Sequence, residues 1–264
     1  MSRMGRKRTL PLLLLAGALW GCAEQPLQPG MQQATPTPES TDARARARAH
    51  TELASGYYEI GSLGVALEEL GEALKSDSNY APAYNMLGLV YMELKEDAAA
   101  QQNFERALRI NPLDADVNHN YGSFLCQRKR EQEAIRYFLA AIKNPLYNQP
   151  DKSYVNAGIC IRRTGDAAAA EDYFQKALRL RPNQPQALYQ MAELSFAKGR
   201  YVEAKSYLTR FMQVATPSAE ALWMGVRIER RLGDREAEAS YGLQLRRRFP
   251  DSQEAGIFQS GRYE

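Results

Sequence analysis

The sequence predicts an all-α fold built from stacked helical hairpins, and three observations lead to this prediction. A pattern of small and large residues recurs every 34 positions over most of the chain. Alanine, leucine, glutamate and arginine, which favour helices, are abundant, and no Val- and Ile-rich strand runs occur. Prolines fall near the ends of several repeating units, where they stop one helix and precede the next.

Residues 81–114 show the repeating unit most clearly. Gly88 and Ala100 are small where two helices are expected to cross closely, and Phe104 is large beside them. Pro112 cannot continue a helix, so it closes the hairpin. The complete set of pattern residues in this unit is Tyr84, Leu87, Gly88, Tyr91, Ala100, Phe104, Ala107 and Pro112.

The same pattern recurs along the chain, in units that cover residues 47–80, 115–150, 151–184 and 185–218. A sixth unit, 219–252, is degenerate because Val226 and Glu238 occupy positions where small residues are expected. The spacing resembles the tetratricopeptide repeat. The resemblance implies a superhelix of about six hairpins, in which the first helix of each hairpin lines a concave face and the second covers the outside.

A secretory signal precedes the repeats. Residues 3–8 form a basic segment with four Arg or Lys side chains, and residues 10–19 form an apolar stretch too short to span a bilayer. The stretch ends at Gly21 and Cys22, which resembles a bacterial lipoprotein signal. The resemblance implies that Cys22 is lipidated, that the mature chain begins there, and that it attaches to the periplasmic face of the outer membrane, since no aspartate follows the cysteine.

The expected organisation therefore has four parts. Residues 1–21 are the signal peptide, and 22–46 are the lipidated cysteine and a flexible tether in which prolines are spaced among polar residues. Residues 47–252 hold the six repeats, and 253–264 form a tail or at most a partial capping helix.

Neither catalysis nor nucleic-acid binding is favoured by the composition. The only two histidines, His50 and His119, lie outside any metal-spacing cluster, nucleophile elbow or Gly-rich phosphate loop. Residues 22–264 carry 30 basic and 31 acidic side chains, so the net charge of −1 gives no reason to expect nucleic-acid binding. We expect a protein that is not an enzyme, with no metal, cofactor or small-molecule substrate.

Two further cysteines, Cys126 and Cys160, leave two interpretations open. A cysteine pair in an oxidising compartment suggests a disulfide. However, they occupy positions 12 and 10 of neighbouring first helices, which point about 200° apart around a helix axis. We therefore favour two small buried hydrophobic residues.

Partner binding is expected on the concave face, at positions 2, 5, 6, 9, 12 and 13 of each first helix. Asn120 and Asn156 share position 6, where an amide can hold an extended peptide through its donor and its acceptor. Leu89, Met92 and Ile159 make the groove partly apolar. The alternative is that each of these side chains packs against the next repeat. The full candidate set is Tyr58, Asn85, Leu89, Met92, Asn120, Asn156 and Ile159.

The two halves of the concave face differ in composition. Apolar candidates collect in repeats one to three, whereas arginines collect in repeats four to six. Because protein segments dock through apolar anchors, we expect the partner on the amino-terminal half. The arginines of the last repeat are nearly balanced by carboxylates, so we interpret them as a solvated face.

The combination of lipoprotein signal, tether and about six repeats resembles the type IV pilus biogenesis lipoproteins of the PilF/PilW type. The runs LGLVYMELKEDAAAQQNFERAL and NAGICIRRTGDAAAAEDYFQKAL add to this resemblance. It implies a pilotin, which binds subunits of the outer-membrane secretin and promotes their ring assembly. The alternatives are a repeat lipoprotein of the β-barrel assembly machinery and an adaptor for cell-wall hydrolases.

Overall fold

The computed structural model describes residues 38–261, which form thirteen α-helices and no strand, so the all-α prediction is confirmed. The predicted signal peptide, Cys22 and the first part of the tether lie outside the described residues, as do residues 262–264. The first six helices are α1 (Pro38–Glu59), α2 (Leu63–Ser76), α3 (Ala81–Glu93), α4 (Asp97–Ile110), α5 (Ala115–Gln127) and α6 (Glu131–Lys143). The remainder are α7 (Pro150–Arg162), α8 (Ala167–Leu180), α9 (Pro185–Ala197), α10 (Tyr201–Val214), α11 (Ala219–Leu232), α12 (Arg235–Arg248) and α13 (Gln253–Ser260).

Helices α1 to α12 pair into six hairpins, as the repeat pattern predicts. Each odd-numbered helix packs mainly on the even-numbered helix that follows it. Successive odd-numbered helices also contact one another, which places them side by side along the array. This arrangement confirms a tetratricopeptide superhelix and puts the positions of interest on one continuous surface.

In repeats two to four, the glycine at the helix crossing is required by a phenylalanine ring. A Cβ atom built on Gly88 would lie 2.6 Å from Cε1 of Phe104, and Phe104 is fully buried. The same relation links Gly158 to Phe174 at 2.5 Å, again sixteen residues later. Real side chains do not approach this closely, so the predicted close crossing is confirmed.

Repeat six has the same contact between a glycine and an aromatic ring, displaced by one residue. Gly225, not Val226, faces the aromatic ring, which here belongs to Tyr241 at 2.9 Å from a Cβ built on the glycine. Val226 is fully buried beside it. Gly242 then meets Phe258 of α13, so the tail forms the partial capping helix.

The turn between the two helices of every hairpin has one left-handed residue, at position 15. Glycine occupies this position in four hairpins, at a φ of 89° for Gly165. Lysine occupies it in two, at a φ of 64° for Lys95 and 60° for Lys129. A left-handed conformation costs a non-glycine residue about 1–2 kcal/mol, so tertiary packing fixes these two turns against a local preference.

The amino-terminal helix is longer than the repeat pattern predicts. α1 begins at Pro38, so the last nine residues of the predicted tether, 38–46, are helical. Arg44 lies 3.9 Å from the Asp77 carboxylate and 5.6 Å from the centroid of the Tyr80 ring. These contacts with the turn between α2 and α3 stabilise the extension.

The prediction that Cys126 and Cys160 stay unpaired is wrong. They form a disulfide between α5 and α7, with 5.8 Å between their Cα atoms. The angle of about 200° separates the two positions around the axis of a single helix, whereas the two cysteines lie on different helices. In parallel neighbouring helices, the far side of one faces the near side of the next, so positions on opposite sides are brought together.

Candidate functional site: the concave groove

The first helices build the floor of a groove that opens into two cavities. The amino-terminal cavity, of about 360 Å³, lies between α1 and α3. Its lining residues come from the predicted groove positions 2, 5, 6 and 9, together with Tyr80 from the intervening turn. They are Arg48, Thr51, Glu52, Ser55, Tyr80, Pro82, Asn85 and Met86. Of the candidate residues, only Asn85 lines this cavity. The other lining residues on α1 and α3 were not named as candidates, but they occupy groove positions that the repeat pattern predicts.

Beside this cavity lie the apolar candidates of the first two repeats. Tyr58, Leu89 and Met92 are each half-buried, so each keeps part of its surface in the groove. Leu89 packs against the core clusters of both neighbouring repeats. Tyr58 packs against one of these clusters and Met92 against the other. The alternative interpretation therefore applies in part to all three side chains, and most to Leu89, which contacts both clusters.

Glutamates rim the same surface. Burial raises the pKa of the Tyr58 hydroxyl, and the nearby carboxylate of Glu93 raises it further. The phenol therefore remains neutral and can serve as a hydrogen-bond donor at the edge of the apolar surface.

The asparagines of the groove form hydrogen bonds between neighbouring repeats. Nδ2 of Asn120 donates to Oδ1 of Asn85 at 3.2 Å, and Nδ2 of Asn156 donates to Ser123 Oγ at 3.2 Å. Part of the predicted peptide-binding capacity of these amides is thus used within the protein. Their carbonyl oxygens, which can still accept hydrogen bonds, give the middle of the groove acceptor character.

A half-buried histidine continues this polar network. Nδ1 of His119 lies 2.7 Å from Oγ of Ser153, which donates in turn to the Tyr147 hydroxyl at 3.1 Å. On its other side, Nδ2 of Asn156 lies 3.4 Å from Nε2 of His119. Burial, with a smaller contribution from the Lys152 ammonium, lowers the pKa of His119 to about 4. A neutral ring protonated at Nδ1 satisfies every one of these contacts.

The second cavity, of about 200 Å³, lies in the middle of the groove beside the disulfide. Ile159 and Asn156 line it, together with Gln186 of the next repeat. Arg163 also lines it and donates from Nη1 to the carbonyl of Cys126 at 2.9 Å. This contact caps the carboxyl end of α5, which favours a cation.

The carboxyl-terminal half of the groove is aromatic and cationic. The guanidinium of Arg227 stacks over the Phe196 ring at 4.3 Å from its centroid, and Arg231 lies 5.9 Å from the centroid of Tyr201. Arg162 forms an ion pair with Glu193 at 2.9 Å. The sequence pattern predicted the arginines, but the aromatic partners were missed because they lie one repeat earlier.

The described residues offer no metal site and no transmembrane helix. Among residues 38–261, no group of three or more His, Cys, Asp or Glu side chains is placed to hold a metal ion. Within the same range, no helix is both long enough and apolar enough to cross a bilayer.

Comparison with known proteins agrees with this architecture. Family models described as tetratricopeptide repeat match residues 81–112, 98–151, 132–185 and 162–222. The type IV pilus assembly protein PilF of Pseudomonas aeruginosa is 33% identical over 253 residues, which cover 96% of this chain and 98% of that protein.

Two solved structures are also similar. A structure of Pseudomonas aeruginosa PilF superposes with a TM-score of 0.78 at 33% identity, covering 84% of this chain and all of that one. PilW, a widely conserved type IV pilus biogenesis factor, superposes with a TM-score of 0.74 at 32% identity, covering 81% and 98%. The chain therefore belongs to the PilF/PilW family of tetratricopeptide-repeat proteins of type IV pilus biogenesis.

Proposed function

We propose that this chain is a lipid-anchored scaffold, a pilotin, that binds subunits of the outer-membrane secretin and promotes their localisation and multimerisation. The observation that carries the proposal is the half-buried apolar surface of Tyr58, Leu89 and Met92 in a member of a pilus-biogenesis family. Apolar side chains in a groove are the usual anchors of a protein partner. The protein acts by binding, without catalysis, cofactor, nucleic acid or small-molecule substrate.

The anchor is proposed from the lipoprotein signal. Acylation at Cys22 would tether the array to the periplasmic face of the outer membrane, because several acyl chains at one site give stable attachment. Cys22→Ser should abolish fractionation with the outer membrane and leave the helical signal unchanged, since the described fold begins only at Pro38. Unchanged fractionation of this variant would disprove the lipid anchor.

The groove is tested by a double substitution, Leu89→Asp with Met92→Asp. We expect secretin multimers to disappear from the outer membrane, because two charges would replace the apolar anchors. The matched control is Val202→Asp with Leu243→Asp, on the second helices α10 and α12, where the two side chains are 75% and 41% exposed. The control should retain secretin assembly.

Because Leu89 also packs between repeats, both double variants must first show native helicity and melting. If Leu89→Asp with Met92→Asp unfolds the array, the single variant Met92→Asp carries the test. Normal secretin assembly in a folded Met92→Asp variant would refute docking at this surface.

Co-purification from detergent-solubilised outer membrane separates the proposed function from its alternatives. Secretin subunits should copurify with the wild-type chain. Recovery of β-barrel assembly proteins or of cell-wall hydrolases in their place would support one of the two adaptor interpretations.

A further inference from the structure

The concave groove carries opposite charges at its two ends. At positions 2, 5, 6, 9, 12 and 13, repeats one to three place one arginine against four carboxylates, all exposed. The same positions in repeats four to six place six cations against two carboxylates. The first set is Arg48, Glu52, Glu59, Glu93 and Asp116, and the second is Lys152, Arg162, Arg163, Arg227, Arg230, Arg231, Glu193 and Glu220.

The negative charge of the amino-terminal end is not neutralised within the groove. Among the described residues, no ion pair involves Glu52, Glu59 or Glu93. Glu93 is close enough to Tyr58 to act on its hydroxyl, so this carboxylate borders the apolar surface. An apolar surface with an acidic rim complements a segment that mixes apolar side chains with lysine or arginine.

The positive end is only partly neutralised. Of its arginines, Arg162 is paired with Glu193 and Arg230 with Glu238 at 3.3 Å, and Arg227 and Arg231 lie over aromatic rings. Stacking orients a guanidinium but leaves its charge in place, so its N–H groups can still meet carboxylates. This end therefore complements aspartate or glutamate.

We infer that the groove is a polarised binding track. It takes a protein segment whose apolar and basic end lies on repeats one and two, and whose acidic end lies on repeats five and six. The inference rests on the proposed function only in placing the partner in the groove. The opposed charges set one direction of binding, because reversing the segment would bring like charges together at both ends.

The test uses three synthetic peptides with one shared apolar centre. The basic probe has a lysine flank, the acidic probe has a glutamate flank, and the bipolar probe has both. Fluorescence anisotropy measures their dissociation constants for the full chain in detergent micelles at low ionic strength. The two variants are Glu59→Gln with Glu93→Gln, and Arg227→Gln with Arg231→Gln.

We expect a crossed pattern. The glutamate variant should weaken the basic probe roughly three- to tenfold and leave the acidic probe unchanged, and the arginine variant should do the reverse. Both variants should weaken the bipolar probe, and high salt should erase the differences, since the Debye length falls to about 3 Å at 1 M. Glu68→Gln and Arg247→Gln, exposed on the second helices α2 and α12, are the matched controls.

Three outcomes would overturn the inference: no measurable binding of any probe, equal losses for both probes in both variants, or competition between the basic and acidic probes for one end. Because Arg227 stacks on Phe196, its loss can loosen the last repeats. Arg231→Gln alone then replaces the double variant, with half the expected effect on a logarithmic scale.

The outcome is separable from that of the proposed function. A crossed pattern together with normal secretin assembly in a folded Met92→Asp variant would retain the polarised track and reject the secretin as its occupant. Lost secretin assembly without a crossed pattern would support the proposed function and reject the polarised track.

Discussion

The substitution of Gly88 by alanine tests the close helix crossing on which the array depends. A Cβ atom at this position would lie 2.6, 2.7 and 2.8 Å from three atoms of the Phe104 ring. The ring is fully buried and cannot move away without displacing its neighbours. Overpacking of this kind costs about 1–3 kcal/mol of folding free energy.

Gly71 provides a control, because its substitution also replaces a glycine within a helix by alanine. It lies in the interior of α2, and a Cβ atom built there meets nothing within 4 Å. Alanine at Gly71 should stabilise the protein by about 0.5–1 kcal/mol, because glycine is a poor helix former. The same gain applies at Gly88, so the difference between the two variants isolates the clash.

Urea denaturation followed by far-UV circular dichroism measures this difference. We expect Gly88→Ala to be less stable than Gly71→Ala by about 1–3 kcal/mol, or roughly 2–10 °C in melting temperature. Phe104→Leu should relieve the clash, so the free energy of coupling between positions 88 and 104 should reach about 1 kcal/mol or more. Equal stabilities of the two glycine variants would refute the reasoning. So would additive effects of Gly88→Ala and Phe104→Leu in the double variant.

Two further predictions concern the middle of the groove. Cys126→Ala with Cys160→Ala should lower the free energy of unfolding by about 4 kcal/mol, because the disulfide joins residues 34 apart; reductant should shift the urea midpoint of the wild type but not of this variant. The depressed pKa of His119, about 4, makes the unfolded state bind more protons between pH 4 and 6.5, so stability should fall by up to about 3 kcal/mol as pH falls through that window. His119→Gln should remove this part of the pH dependence in urea titrations, and an unchanged slope would contradict the assignment.

The framework of the fold was predictable from the sequence because it obeys local rules. The pair of Gly88 and Phe104 recurs at the same spacing in repeats three and four, since these hairpins must solve the same packing problem. The left-handed turn at position 15 could have been found from the glycines at four of the six hairpins. The offset at Gly225 could not, because a one-residue displacement is visible only when Tyr241 is seen to face it.

Contacts between repeats were less predictable. The disulfide depends on how α5 and α7 face each other, which the helical period of one chain segment does not contain. The amides of Asn85 and Asn120 were predicted in the groove, but a single sequence does not show that they bond to each other. The structure therefore supplies the hydrogen-bond partners of these amides, whereas their role in partner binding stays a prediction.

These contacts between repeats indicate that the middle and the ends of the groove have different roles. The disulfide, the bonded asparagines and the His119 network all lie in repeats two to four, where they tie successive first helices together. The apolar and acidic surface lies towards one end and the arginine surface towards the other. A stiff centre fixes the spacing between these two surfaces before any partner arrives, and preorganisation of this kind lowers the entropic cost of binding a segment that must contact both. Reduction of the disulfide should therefore weaken the bipolar peptide more than either single-flank peptide, because only the bipolar peptide depends on that spacing.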